Sequence, residues 1–403
     1  MRHPAISLRT ISTRHLVAWI AAIVVVASGG TAIALAATSG GPVPEPKPLA
    51  VAAHDALAAP APAGITARVE FTNHLISSDA VAGSDPVLTG ASGRLWLTKG
   101  HFRLELQSQQ GDAQVVADDK TFWLYDPRSN TVYRGNTPQD MQGNAPEQGS
   151  NDVPSVAQIQ RFLQRVMEHA DVSGAIPGDV AGQPTYTVRV SPRQQGGMLA
   201  GAELAWDALR GVPLRIGVFA KGGSSPVLEL TATDVSYGSV PASSFDVSPP
   251  PDAKVVKVSV PTKSPDGGEQ AKRAPVTGAD AVGKAVPFPL SAPGTLAGVP
   301  RNEVRLLDWG DRPAALVTYG QDLGGIAVLE QEAGSGGSAG SPLGSGGGDH
   351  GGLDLGSVSI DGVTGQELPT ALGTIVHFER GGVAFTVAGS AAPAKVEAAA
   401  RGL

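Results

Sequence analysis

Between Gly90 and Arg134 the chain is so strictly patterned that little besides an antiparallel meander can accommodate it. The hexapeptide His101–Leu106 sets Phe102, Leu104 and Leu106 against His101, Arg103 and Glu105, the period of two that marks a half-buried strand. A Gly111-Asp112 turn leads to Val115-Val116. The run Thr121–Arg134 then breaks at Asp126-Pro127-Arg128-Ser129-Asn130 and resumes as Thr131-Val132-Tyr133, which reads as a hairpin. On its strand Trp123 shares a face with Tyr125, while Phe122 and Leu124 point the other way. A catalytic domain usually offers polar groups on its loops. Here the strands offer apolar faces and large aromatics, a surface suited to holding something greasy.

The run Gly93-Arg94-Leu95-Trp96-Leu97, then FRLEL, then Asp118-Asp119-Lys120-Thr121-Phe122-Trp123-Leu124-Tyr125-Asp126-Pro127 and Asn130–Arg134 resembles the LolA-like family. That family includes outer membrane lipoprotein carrier proteins, RseB/MucB-type sensors and actinobacterial membrane-anchored relatives, some named after a sporulation protein. Asp119 stands where the family pattern has Gly, a small departure because Asp also tolerates a left-handed turn. A second block resembles the same family: Gly182-Gln183-Pro184-Thr185-Tyr186, Trp206-Asp207…Gly211-Val212-Pro213-Leu214, and Phe245-Asp246…Pro249-Pro250-Pro251. Together the blocks cover roughly residues 48–256. The resemblance implies an α+β fold in which a curled antiparallel sheet, a half-barrel, wraps around helices. It places Phe102, Leu104 and Leu106 on a cavity wall. The large aromatics Trp96, Trp123 and Tyr125 are expected as further lining from the sequence itself. Alternation alone does not separate such a wall from a dry core.

The ends of the chain are read from charge and hydropathy. Residues 1–15 carry Arg2, Arg9 and Arg14 and no acid, and Leu16–Ala37 is almost wholly apolar. About 20 apolar residues span a bilayer core, and the basic flank keeps the N-terminus inside. A single-pass anchor over 16–37 is expected, or else a cleaved signal peptide, since Ala34-Leu35-Ala36 fits a small-residue cleavage site. In both cases the chain beyond residue 40 is extracytoplasmic, at the cell membrane or secreted. Residues 38–47, with Pro42, Pro44 and Pro46, read as a spacer lifting the next domain off the membrane. Residues 48–59 are Ala-rich and helical in propensity, Ile65–Phe71 alternates as a strand, and Val156–Met167 repeats at helical spacing with Ser155 or Asp152 as cap.

Further strands are expected at Thr185–Val190, Ala202–Ala208, Pro213–Ala220 and Val227–Gly238. Residues 257–287 are rich in Pro, Gly and Lys and read as a linker. A smaller C-terminal α+β domain then occupies 288–403, interrupted by a Gly/Ser tract at 333–352 and closed by a helix at Ala394–Arg401. It resembles the small domain appended to RseB-like proteins, and no residue is carried over for it.

No chemistry stands out. The formal charge of −7 and the lack of a basic stripe exclude a nucleic-acid footprint. The absence of Cys removes a thiol nucleophile, a disulfide framework and a Cys-ligated zinc site. Gly336-Gly337-Ser338-Ala339-Gly340 and Gly346…Gly348…Gly351 match catalytic and phosphate-binding patterns literally, but inside low-complexity sequence rather than at a strand-to-helix turn. Asp349-His350 in the same tract reads as a solvated loop, His54-Asp55 as exposed helix residues, and Asp118-Asp119 as turn formers. No cofactor, metal or catalytic residue is expected. Two function classes remain: a non-enzymatic carrier that shields lipid or lipoprotein acyl chains, and an RseB/MucB-like envelope sensor regulating a membrane-anchored partner such as an anti-sigma factor.

Overall fold

A computed structural model describes residues 41–77, 90–107, 112–127, 129–136, 153–193, 196–257, 276–309, 312–320, 324–334 and 355–403. The apolar run 16–37 and residues 335–352 of the Gly/Ser tract, Asp349-His350 among them, lie outside the described residues. Among the described residues, no helix is long and apolar enough to cross a membrane.

Helix α1 (Leu49–Ala58) opens the described chain. Six strands follow: β1 (Gly64–Asn73), β2 (Ala91–Thr98), β3 (His101–Leu106), β4 (Ala113–Asp118), β5 (Thr121–Asp126) and β6 (Thr131–Asn136). Asn130 takes the positive φ of 43° at the β5–β6 turn, a conformation that Asn tolerates better than most residues. Helix α2 (Val156–Met167) starts at a full capping box, with Ser155 and Gln158 satisfying each other's backbone groups. The chain then returns through β7 (Ala170–Val172), β8 (Ile176–Val180), β9 (Gln183–Pro192), β10 (Leu199–Asp207), β11 (Pro213–Ala220) and β12 (Leu228–Tyr237), and ends this unit with β13 (Lys254–Lys257). These strands form one sheet in the order β13-β6-β5-β4-β3-β2-β1-β12-β11-β10-β9-β7, with β8 also paired to β9. All of its pairs are antiparallel except β13 with β6. The fold is α+β, a curled antiparallel half-barrel with its two helices stacked over one end.

That stacking is set by small residues. Ala50 and Ala53 of α1 meet Ile159 and Leu163 of α2, while Ala52 packs on Tyr186, Val188 and Trp206 of β9 and β10. The chain before α1 is pinned as well. Tyr186 donates its hydroxyl to the Glu45 carbonyl, Lys47 Nζ donates to Asp55 at 2.6 Å, and a Cβ on Gly41 would overlap the Asp179 carboxylate. Residues 41–47, expected as a spacer, lie along the domain because these polar contacts hold them there.

The second sheet is built from β14 (Thr295–Leu296), β15 (Val299–Trp309), β16 (Arg312–Tyr319), β17 (Ile326–Glu332), β18 (Gly356–Ile360), β19 (Val363–Thr370), β20 (Gly373–Arg380) and β21 (Val383–Gly389), in the order β14-β15-β16-β17-β21-β20-β19-β18. Helix α3 (Ala279–Ala285) and the closing helix α4 (Pro393–Arg401) contribute Val282, Val396, Ala399 and Ala400 to its core. Helix α3 falls inside the stretch 257–287 expected as linker. Composition hid it, because its single fully buried side chain, Val282, sits among Gly, Lys and Ala. The two sheets meet through hydrogen bonds from Ala371 N to Leu75 O at 2.8 Å and from Met198 N to Ser390 Oγ at 2.9 Å.

Candidate functional site

Residues directly opposite each other in an antiparallel sheet share a face, so the register assigns every side chain of the half-barrel to one of two surfaces. One ladder runs Val235–Ala67–Leu95–Leu104–Val115–Leu124, and a neighbouring one runs Ile65–Leu97–Phe102. This is the concave face, the one that α1 covers farther along at Val188 and Trp206. The other ladder runs Thr66–Trp96–Arg103–Val116–Trp123–Arg134, which is the convex face.

The six residues expected to line one cavity are therefore divided. Phe102, Leu104 and Leu106 join the concave cluster with Ile65, Val69 and Leu214. Leu104 is 1% exposed and Leu106 is buried, whereas Phe102 is half-buried. Trp96, Trp123 and Tyr125 lie on the convex side. There Trp123, Val116 and Val132 form a separate cluster, with Tyr125, Val247 and Ala253 against it. The segment after β12 wraps this convex surface. Arg103 lies 4.7 Å over the Trp96 ring and donates to the Ser244 carbonyl at 2.6 Å, and Phe245 tilts onto His101 with ring centroids 5.4 Å apart. Its closing strand β13 adds to β6, where Asn130 Nδ2 donates to Asp252 at 2.9 Å. The Phe-Asp…Pro-Pro-Pro motif thus belongs to a strap, and the aromatics it covers are packing for that strap.

On the concave side an apolar cleft of about 110 Å³ opens between β1, β2, β11 and β12. Ile65, Ala67, Val69, Leu95, Leu97, Val212, Pro213, Leu214, Leu230, Ala232 and Val235 are among the residues that line it. Leu95, Leu97 and Leu230 stay half-buried. No helix packs on this stretch among the described residues: the apolar clusters of α1 and α2 involve β7, β9 and β10. None of the six expected residues lines this cleft: Phe102, Leu104 and Leu106 belong to the apolar cluster beside it. The residues that do line it stand out by the alternation of Ile65–Phe71 and of Leu228–Val235. The volume is several times a water molecule's share of about 30 Å³, yet short of the roughly 300–1,000 Å³ of small-ligand pockets.

The polar groups around the sheet are spent on structure. Asp118 accepts from Lys120 N and Thr121 N, both at 2.7 Å, closing the β4–β5 turn. Glu203, 4% exposed, lies 3.6 Å from Arg189 and 3.5 Å from Arg215 on the convex side of β10. Burial raises its carboxyl above the usual range against the pull of both guanidiniums. Asp207, fully buried, accepts from Leu209 N and Arg210 N at 2.8 and 2.9 Å and shapes the turn that ends in Gly211. Gly211 has φ +67°, and a Cβ there would overlap the Ala56 carbonyl, so the Asp…Gly…Pro-Leu motif is the seat of α1. Among the described residues no group of three or more His, Cys, Asp or Glu could hold a metal ion.

No protein-family profile matches the chain, and no curated protein matches it. Among solved structures the chain is similar to MucB in complex with MucA(peri), at 15% identity over 87% of this chain and 94% of that one, with a TM-score of 0.40. The MucA/MucB complex of Pseudomonas aeruginosa gives the same coverage and identity and a TM-score of 0.39. A LolA superfamily protein from Nitrosomonas europaea, 8% identical, covers 50% of this chain and 98% of its own at a TM-score of 0.20.

Proposed function

We propose that this chain is a non-enzymatic, membrane-tethered extracytoplasmic protein that holds a lipid or lipoprotein acyl chain against the concave face of its half-barrel. One observation carries the reading: a continuous apolar surface from Val235 across Ala67 and Leu95 to Leu104, with half-buried leucines around an unfilled cleft. Apolar burial is the driving force, about 0.8 kcal/mol per CH₂, and it needs no catalytic group. The present cleft is too small for a whole acyl chain, so uptake requires its walls on β1–β2 and β11–β12 to move apart. Release is the reverse step. The anchor over 16–37 keeps this cycle at the outer surface of the membrane.

The two hydrogen bonds between the sheets favour a second reading. Ala371 N to Leu75 O and Met198 N to Ser390 Oγ couple the half-barrel to the C-terminal sheet, so an occupied cleft can alter what that sheet presents to a membrane-anchored regulatory protein. Native mass spectrometry of the full chain extracted from its host membrane tests both. Mass added by acyl lipid supports the carrier. A stoichiometric protein companion with lipid-free chain supports the sensor. Bare protein that also takes up no fluorescent fatty acid removes the carrier reading.

A further inference from the structure

Three exposed apolar side chains lie toward the same end of the half-barrel. Leu209 is 67% exposed, Val43 61% and Leu57 44%. Contacts across this end tie them together. Ala208 N donates to Pro184 O at 2.8 Å, Pro184 pairs with Asp179 across the β8–β9 hairpin, and Gly41 packs on Asp179. On the other side of Leu209, Gly211 presses on the Ala56 carbonyl next to Leu57.

This is also where the described chain emerges from its N-terminal side. Only residues 38–40 separate Ala37, the last residue of the apolar run, from Gly41. A fully extended chain reaches at most about 3.3–3.6 Å per residue, so roughly 14 Å over these four peptide links. The polar layer on each side of the hydrocarbon core takes up about 5–8 Å of that. The residues after Gly41 give no further slack, because Tyr186 holds Glu45 and Lys47 pairs with Asp55.

We infer that the end of the half-barrel formed by Val43, Leu57 and Leu209 rests on the outer surface of the bilayer entered by the chain's own apolar run, with these side chains in the headgroup layer. The inference rests on the anchored reading of residues 16–37. It adds a fixed orientation: the β9–β10 end of the sheet faces lipid, and the β13 edge, at the other end of the strand order, faces away.

The chain contains no Cys, so single labels are clean. The full chain carrying Leu209→Cys, Val43→Cys or, as reference, Val255→Cys is labelled with bimane and reconstituted into phosphatidylcholine–phosphatidylglycerol vesicles. Val255 is 58% exposed and lies on β13. Lipids bearing a nitroxide near the headgroup should quench the labels at 209 and 43 several-fold more than the label at 255, and aqueous iodide should rank them in the opposite order. Equal quenching at all three positions in chains that float with the vesicles overturns the docked surface and leaves the anchor standing. Chains that do not float overturn both.

Discussion

Tyr237 donates its phenolic hydrogen to Oδ2 of Asp207 at 2.7 Å, which ties the last strand of the concave face to the turn that seats α1. Burial, then the hydrogen bond and charge of Asp207, push the phenol far above its usual value, with Arg210 opposing from 4.2 Å over the ring. Tyr237→Phe leaves one oxygen of a fully buried carboxylate with Arg210 alone, at 3.2 Å. The expected cost is about 1–3 kcal/mol, read as a lower urea midpoint. An unchanged midpoint would show that the pair does not stabilise the turn.

Gly211 and Gly182 both have positive φ, +67° and +72°, but their surroundings differ. A Cβ at Gly182 meets nothing within 4 Å, whereas at Gly211 it overlaps the Ala56 carbonyl. Gly182→Ala should cost only the conformational penalty, about 1–2 kcal/mol. Gly211→Ala should cost clearly more and lift α1 off β9 and β10. Hydrogen exchange of the α1 amides distinguishes the two: faster exchange is expected only in Gly211→Ala, and equal behaviour counts against the close contact.

Much of this architecture was legible because alternation and capping are local. The strand at His101–Leu106, the break before Thr131 and the strand Pro213–Ala220 all stand where the sequence puts them, and of the two caps it offers for the second helix, Ser155 is the one used. The β8 strand was not legible, since Pro177 and Gly178 disfavour a strand by propensity and only pairing with β9 holds it. Nor was β19, whose VTGQELPT alternates poorly and is kept in place by strands on both sides. The division of the six aromatic and leucine positions between two faces was hidden for a different reason. Both faces of β3 to β5 are apolar in part, one for the concave core and one for the strap, and period-two alternation does not tell which partner each face will meet.

Glu330 of β17 is fully buried, and burial raises its carboxyl to about 7, partly opposed by the Ser291 N–H at 2.8 Å. The folded form then holds this proton at pH values where the unfolded chain, near 4.5, has already lost it. Its contribution to stability is full below about pH 4.5, falls as pH rises toward 7, and levels off beyond. Glu330→Gln removes this dependence. The stability difference between variant and wild type should therefore grow in the variant's favour from pH 4.5 to 8, by roughly 2–4 kcal/mol at about 1.4 kcal/mol per pH unit. Chemical denaturation at pH 4.5, 6 and 8 measures it, and parallel curves for the two proteins would rule the assignment out.

The two faces of the half-barrel make opposite demands on a ligand assay. Leu97 is half-buried and lines the cleft, Leu104 is 1% exposed in the same concave apolar cluster, and Trp123 is buried under the strap on the far side. Leu97→Glu puts a carboxylate where an acyl chain would lie but where water still reaches, so fluorescent fatty acid binding should be lost with a modest fall in thermal midpoint. Leu104→Glu buries an unpaired charge and should collapse the midpoint outright. Trp123→Ala should cost about 3–5 kcal/mol through the cavity it leaves. In conditions where that variant remains folded, its affinity for the fatty acid should match the wild type, because the lost contacts are with Val116, Val132 and Val247 rather than with the cleft. Loss of binding in folded Trp123→Ala, with binding kept in Leu97→Glu, would move the ligand to the convex side and defeat the concave assignment.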